Sequence, residues 1–523
     1  MSNDKYARQD SKGGILKSTG IISLGTLASR ILGFVRDILI AKLLGTAAAA
    51  DVFFVAFRIP NLFRDLVGEG ATNSALVPVI SEYETKKERG ELWRFVSVFL
   101  ILSLMVLGAI TILGIIFSPV IVRLIAPGFV AEPQKLQTAI QLTQIMFPYL
   151  ILIGLTAYSM GILYTFRSFS AAAFSPCLLN IMMIISALVA AGTKQDVVFC
   201  LAMGVLAGGV AQLLWQIPPL FKNGIKFYKP QSLSHPGVKK VGQLLLPRVF
   251  GSAVYQLGIF IDTFCASLSA IVGSGGIAAI YYANRIVQFP MGIFSVALAS
   301  AILPSMAGFA AKENTEDFKK TLAFALKNIF LIMLPMSVFI AVLSTPMTRL
   351  FFERGEFNAY STQMTAWALL FYALGLVGFG GAKIMVTAFH SLQDTRTPVK
   401  VGFVCLAINA FLNFSLMGPM KIGGIALASS ISSTVNFLVL FYILNKRLGC
   451  ISHEMGGYFL KISWVALVMG AGVFWAWGNL SVPNEASRLI ASSLFGFFIF
   501  IGGCWISKVE EIKKALFWIS KKK

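Results

Sequence analysis

The sequence predicts an all-α polytopic membrane protein of about fourteen transmembrane helices, two six-helix pseudo-repeat lobes plus two C-terminal helices. Of 523 residues, 57% are apolar and only 13% charged, against about 25% charged in soluble domains, and mean hydropathy is +0.77. Run length is the second observation. Stretches such as residues 96–117 are continuously apolar and helix-length, whereas strands of a membrane barrel are about ten residues of alternating polarity. The third is the placement of basic residues between the runs.

In order, the spans fall near 16–44, 50–80, 93–117, 136–165, 170–192, 196–221, 238–270, 276–308, 318–344, 361–389, 398–417, 422–445, 456–478 and 487–506. An even count puts both termini on one side of the membrane. The set of connections on that side, tails included, carries 29 Lys/Arg, and the opposite set carries seven: Arg123, Lys135, Lys194, Arg349, Arg354, Lys421 and Arg488. Lys/Arg-rich connections stay inside, so both termini are expected in the cytoplasm. The net charge of +21 is accounted for by this bias and by attraction to anionic phospholipids, which leaves no ground for a nucleic-acid partner. From Ser507 onward, Val509, Ile512, Leu516 and Ile519 share one helical face among lysines, the pattern of a tail lying on the inner leaflet. The polar N-terminal residues and the arginines of the first span do not read as a cleaved signal peptide.

A repeat links the halves. Ser74-Ala-Leu-Val-Pro78 recurs as Ser300-Ala-Ile-Leu-Pro304, and Phe166-Arg-Ser-Phe169 recurs loosely as Phe389-His-Ser-Leu392, each followed by a proline, Pro176 or Pro398, that opens the next helix. Two lobes related by an axis along the membrane normal are expected, with a transport site between them. The corresponding divisions are an N-terminal lobe at 1–221, a linker at 222–240, a C-terminal lobe at 241–447, two further helices at 448–507 and a basic amphipathic tail at 508–523.

Eight basic residues fall inside spans: Arg30, Arg36, Lys42, Arg58, Arg64, Arg248, Arg285 and Lys383. At about 2.5–3.5 kcal/mol per central charge they need a purpose. In the first span Thr19, Ser23, Thr26, Arg30, Gly33 and Asp37 form one stripe, and the eighth repeats the device with Tyr281, Arg285, Gln288, Gly292 and Ser295. The seventh carries Arg248, Ser252, Tyr255 and Asp262, and the second carries Asp51, Arg58, Asn61, Arg64, Asp65 and Glu69 around Pro60. Asp37, Asp51, Asp65, Glu69 and Asp262 neutralise at most five bases, so interhelical ion pairing competes with cargo binding for any one arginine. The surplus of planar guanidinium forks points to an anionic cargo, most simply a phosphate or diphosphate.

Enzyme classes are poorly served. The six cysteines are scattered and read as buried thiols, the three histidines lack ligand spacing, and there is no GxxxxGK[ST] loop. Gly375-Leu-Val-Gly-Phe-Gly-Gly381 reads as close helix packing. A polyprenyl-phosphate transferase should cluster its carboxylates at one membrane face, and here they are dispersed. With no ATP site, the energy source is expected to be an ion gradient, the membrane potential or the cargo gradient. Asn409 and Asn413, one turn apart, with Asp262 and Ser429, are candidate oxygen ligands for a small cation, with ordinary interhelical hydrogen bonding as the alternative.

Several ordered stretches carry a resemblance: Ser29-Arg-Ile-Leu-Gly-Phe-Val-Arg-Asp37, Ala50 to Arg64, Glu69-Gly-Ala71, Tyr281 to Pro290, and Gln393-Asp-Thr-Arg-Thr-Pro-Val-Lys400. Together they resemble the MurJ (MviN) family, lipid II flippases of bacterial peptidoglycan synthesis within the MOP exporter superfamily. The resemblance implies a flippase rather than an enzyme, moving lipid II to the outer leaflet of the cytoplasmic membrane by alternating access. It implies a cationic central cavity and a groove for the polyprenyl tail formed with the last two helices. Functional arginines fall on Arg30, Arg36, Arg64 and Arg285, acidic positions on Asp37, Asp51 and Glu69, and Arg58 and Lys383 join them as candidate cargo contacts. A sodium pattern maps to Asp262, Asn409, Asn413, a carbonyl near Ile425 and Ser429, with asparagine at 413 where a carboxylate is expected. Expected partners are lipid II, anionic phospholipids and the peptidoglycan synthesis machinery; no cofactor is expected beyond a sodium ion. The rivals are a flippase for another polyprenyl-diphosphate glycan, which shares the arginine chemistry, and a cation-coupled drug exporter, which the basic surplus disfavours.

Overall fold

A computed structural model describes residues 12–64, 73–193, 195–229, 232–451, 455–480, 482–509 and 511, with side chains for all of these except 12–19, 63–64, 73–74 and 246–253. Where the predicted spans are described they fall on helices, and the described residues contain no strand. The chain divides into two compact units, Met1–Gln256 and Leu257–Lys523.

The first unit contains α1 (Lys12–Leu44), α2 (Ala48–Arg64), α3 (Asn73–Lys86), α4 (Arg89–Ile125), α5 (Pro133–Met146), α6 (Tyr149–Thr165), α7 (Phe169–Thr193) and α8 (Val197–Lys222). The helix α9 (Pro236–Ala266) crosses into the second unit. There it is followed by α10 (Ser269–Val272), α11 (Gly276–Pro290), α12 (Val296–Ala311), α13 (Thr315–Val342), α14 (Ser344–Phe352), α15 (Ala359–Leu374), α16 (Leu376–Ser391), α17 (Arg396–Met420), α18 (Ile422–Leu448), α19 (Met455–Asn479) and α20 (Glu485–Ile506).

Among the described residues, ten helical stretches are long and apolar enough to cross a membrane, or eleven with the pair α15–α16, bent by 47°. The three other predicted spans, on α1, on α2 with α3, and on α9, are those that carry much of the intramembrane charge. Breaks within spans have local causes. Pro290 cannot supply an N–H to the helical ladder, and a π-turn, Met291–Ser295, separates α11 from α12. Helix starts are set by side-chain caps: Asp196 accepts the Val198 N–H, Asn314 that of Asp317, Asn358 that of Ser361, and Asn484 that of Ser487.

Packing explains the small residues. A methyl group on Gly25 would lie 2.5 Å from the Ala173 carbonyl oxygen, so glycine lets α1 lie directly on α7. Gly375, Gly378 and Gly381 meet Ser430, Thr434 and Phe437 in the same way, seating α16 on α18, as their spacing leads one to expect. A hydrophobic cluster lies within the first unit, where Leu76, Trp93, Phe95 and Ile162 are buried together and the Tyr158 hydroxyl donates to the Val96 carbonyl at 2.7 Å. The linker after α8 docks beside it: the His235 ring stacks on Phe95 and lies 3.2 Å from Glu91, and Lys240 pairs with Glu82. The Lys240 contact holds the Glu82 carboxyl below its ordinary range.

Two expectations need adjustment. Four cysteines are buried, but Cys450 is exposed and Cys200 half-buried. Element starts also correct the looser of the two repeats. A shift of 226 residues, from Ser74 to Ser300, carries Phe166–Phe169 onto Leu392–Thr395, three residues beyond Phe389–Leu392. Of the C-terminal tail, residues 512–523 lie outside the described set.

Candidate functional site

In the first unit the face of α1 against α7 is written by Gly25, Ser29 and Arg36, spaced as one helical stripe. The Arg36 Nε and Nη2 donate to Asp37 Oδ1 at 2.9 and 2.7 Å, and its Nη1 donates to Asn180 Oδ1 on α7 at 3.0 Å. Asn180 in turn donates to the Ser29 carbonyl at 3.0 Å. Arg36 and Asp37 are both buried, so this pair is enclosed by its own unit. Arg30 lies one residue past Ser29, about 100° around the helix from the α7 seam, and is half-buried.

At the start of α2, Asp51 is buried and takes the Lys135 ammonium of α5 at 3.2 Å. Lys135 is a residue that the sequence argument placed in an outer connection and did not join to the site. Its position near a helix start, opposite the acid that opens α2, was the available signal. Asn180 was missed as well, and an amide inside an otherwise apolar α7 could have disclosed it. Arg58, two turns below Asp51, is half-buried. Glu69 and the side chain of Arg64 lie outside the described residues, as does that of Arg248.

The second unit brings the four predicted oxygen ligands together. Asp262 on α9 accepts the Asn413 amide at 2.9 Å through Oδ1 and the Ser429 hydroxyl at 2.7 Å through Oδ2. Asn413 also donates to Asn409 Oδ1 at 3.1 Å, and Asn409 donates to Ser429 Oγ at 3.2 Å, closing a ring across α9, α17 and α18. The Asn413 Oδ1 is buried with no hydrogen-bond partner. Carboxylate, amide and hydroxyl oxygens of this kind are the ligands a small hard cation takes, so the residues fit one. Arg285 on α11 is half-buried, beside a fully buried Tyr282 packed against Phe352 and Phe357. Lys383 on α16 is exposed.

Comparisons with known proteins agree with this helix order. The profile of the family described as lipid II flippase MurJ matches residues 40–491. A probable lipid II flippase MurJ of Haemophilus influenzae is 35% identical over 466 residues, covering 86% of this chain and 90% of that protein. The lipid II flippase MurJ of Burkholderia cenocepacia is 33% identical over 494 residues, covering 92% and 95%. A solved lipid II flippase MurJ in an inward closed conformation superposes with a TM-score of 0.80 at 27% identity, over 94% of this chain and 99% of that one. An inward-facing multidrug resistance MATE transporter of the MOP superfamily shares the fold alone, with a TM-score of 0.67 at 18% identity over 81% and 95%. With most of its length matched by the family profile and by relatives above 30% identity, the chain belongs to the lipid II flippase MurJ family.

Proposed function

We propose that this chain is a lipid II flippase, moving the diphosphate-linked precursor from the inner to the outer leaflet of the bacterial cytoplasmic membrane. It is a transporter, not an enzyme. The observation that carries the residue assignment is Arg30, a half-buried arginine near the middle of α1, on a helical position about 100° around from the residues that meet α7. The diphosphate contacts proposed are Arg30, Arg58 and Arg64 of the first unit and, separately, Arg285 of the second, since diphosphate oxygens match a guanidinium fork two at a time. Lys383 adds a point charge. The sugar and peptide stay hydrated while the prenyl tail remains in lipid. Arg36 and Asp37 support α1 from within, since Arg36 is held by the Asp37 carboxylate and by Asn180 of α7.

The Asp262 ring is the proposed coupling site. Asp262, Asn409, Asn413 and Ser429 would hold a sodium ion, which supplies a positive charge that draws α9, α17 and α18 together. Sodium or membrane potential then biases the return of the emptied carrier. Both termini face the cytoplasm, where the basic connections meet anionic phospholipids. Enzymes that complete the lipid-linked precursor inside and polymerise it outside are the reaction partners.

Purified protein in vesicles loaded with lipid II tests the reading. Movement across the bilayer should fall about ten- to hundredfold in Arg30→Ala and Arg285→Ala, the worth of one charge-assisted hydrogen-bonding group. Thermal stability should be retained. Wild-type rates in both folded variants would remove the arginines from cargo binding.

A further inference from the structure

In the sequence, Lys135 stands just ahead of an apolar span, in a connection, yet its side chain is only 3% exposed. Its ammonium lies 3.2 Å from Asp51 Oδ2, 3.7 Å from Glu132 Oε1 and 4.5 Å from the centre of the Phe129 ring, which is itself fully buried. The residues leading into α5 fix this arrangement. Pro127–Ala131 forms a 3-10 turn that turns Phe129 inward, and Pro133 opens α5 with Lys135 in its first turn. On the other side, Asp51 sits in the first turn of α2, where unpaired helix N–H groups favour a negative charge.

Burying two charges is costly, and apolar residues of the same volume would pack α2 on α5 as well or better. A charge pair adds direction, because it tolerates only one rotation of α2 about its axis. Asp51 and Arg58 are seven residues apart, two turns along one face. The helix between them is uninterrupted, and the first break in its ladder comes only at Pro60. A clamp on Asp51 therefore fixes the rotation and depth of Arg58.

We infer that Lys135 is a positioning residue for cargo binding: through Asp51 it holds α2 in the rotation at which Arg58 meets the diphosphate. The inference rests on the lipid II reading given above. Asp51 then acts through Lys135 and α2, without touching cargo.

The test is a lipid II titration in proteoliposomes. Lys135→Met should raise the half-saturating lipid II content at least tenfold, while Lys135→Arg, which keeps the charge, stays within threefold of wild type. Exchanging the pair, Asp51→Lys with Lys135→Asp, should bring half-saturation back to within threefold. Arg58→Gln should raise half-saturation too, and adding Lys135→Met to it should change the value less than threefold, because both act on one contact. A change that only loosened the fold would lower the active fraction and leave half-saturation where it was. The inference is overturned if Lys135→Met keeps wild-type half-saturation, or if its effect multiplies fully with that of Arg58→Gln. It is equally overturned if the exchanged protein melts like wild type but binds as poorly as Lys135→Met, which would make the Asp51 carboxylate a cargo contact. Should Lys135→Met not fold, the exchanged pair and Lys135→Arg decide alone. Wild-type vesicles that move no lipid II overturn the export reading, and the inference with it, before any variant is compared.

Discussion

Asp262 illustrates what a single residue inside a membrane helix can be read to do. A carboxylate in an apolar span is expensive unless it is solvated by protein, and three neutral side chains from two other helices supply that solvation in a closed ring. The partners were legible because polar residues are scarce in apolar spans: Asn409 and Asn413 share a face one turn apart, and Ser429 lies on the next helix. Arg36 was harder. Sequence places it beside Asp37 but cannot say that its stem folds back onto that carboxylate and on to Asn180, instead of reaching outward. Lys135 escaped because a lysine near the end of a connection is ordinarily counted toward topology. The ring makes a sodium prediction. An ion held only by the folded protein raises stability by about 1.4 kcal/mol at ten times its dissociation constant. Melting temperature should therefore rise when sodium replaces choline for wild type, and should not respond in Asp262→Asn or Ser429→Ala. A wild-type protein indifferent to sodium would remove the coupling role from this ring.

At the scale of elements, apolar run length located the ten or eleven described helical stretches able to cross a membrane but not their interruptions. The π-turn after Pro290, the bend between α15 and α16 and the short helix α14 cost little hydropathy, so a hydrophobic run passes through them unmarked. Helix ends are easier to justify than to foresee. Asp394 shows how one is built: its carboxylate accepts the Thr397 N–H at 3.0 Å and the Thr397 hydroxyl at 2.8 Å, opening α17, and pairs with Arg447 of α18 at 2.9 Å. Partial burial alone would raise the Asp394 pKa, but the Thr397 bonds and the Arg447 charge outweigh it and hold the carboxyl below its ordinary range. A carboxylate depressed on folding stabilises the protein above its unfolded pKa, and that contribution is lost as pH falls through the folded value. Asp394→Asn should thus melt earlier than wild type at neutral pH, and the gap should close as the buffer is taken below about pH 4, the ordinary aspartate value. Melting curves across that range decide it; a gap that persists unchanged in acid would mean that the amide disrupts α17 for reasons other than charge.

Over the whole molecule, the internal repeat is more regular in backbone than in sequence. Shifted by 226 residues, the starts of α4 to α8 fall within one residue of the starts of α13 and of α15 to α18. The left-handed residue between α6 and α7, Arg167 at φ 55°, falls on Gln393 at φ 58° between α16 and α17. Few side chains at these positions match, so only two short motifs betrayed the duplication, and one of them was misregistered by three residues. An even span count would put both termini on one side of the membrane, and the Lys/Arg asymmetry predicts that this side is the cytoplasm. That orientation is directly testable, because Cys450 is exposed in the connection between α18 and α19, which belongs to the basic set. A membrane-impermeant thiol reagent should leave Cys450 unlabelled in intact spheroplasts and label it in inverted vesicles. Arg354→Cys, introduced with Cys450→Ser into the exposed turn between α14 and α15, should behave in the opposite way. Labelling of Cys450 from outside the spheroplast would reverse the predicted orientation.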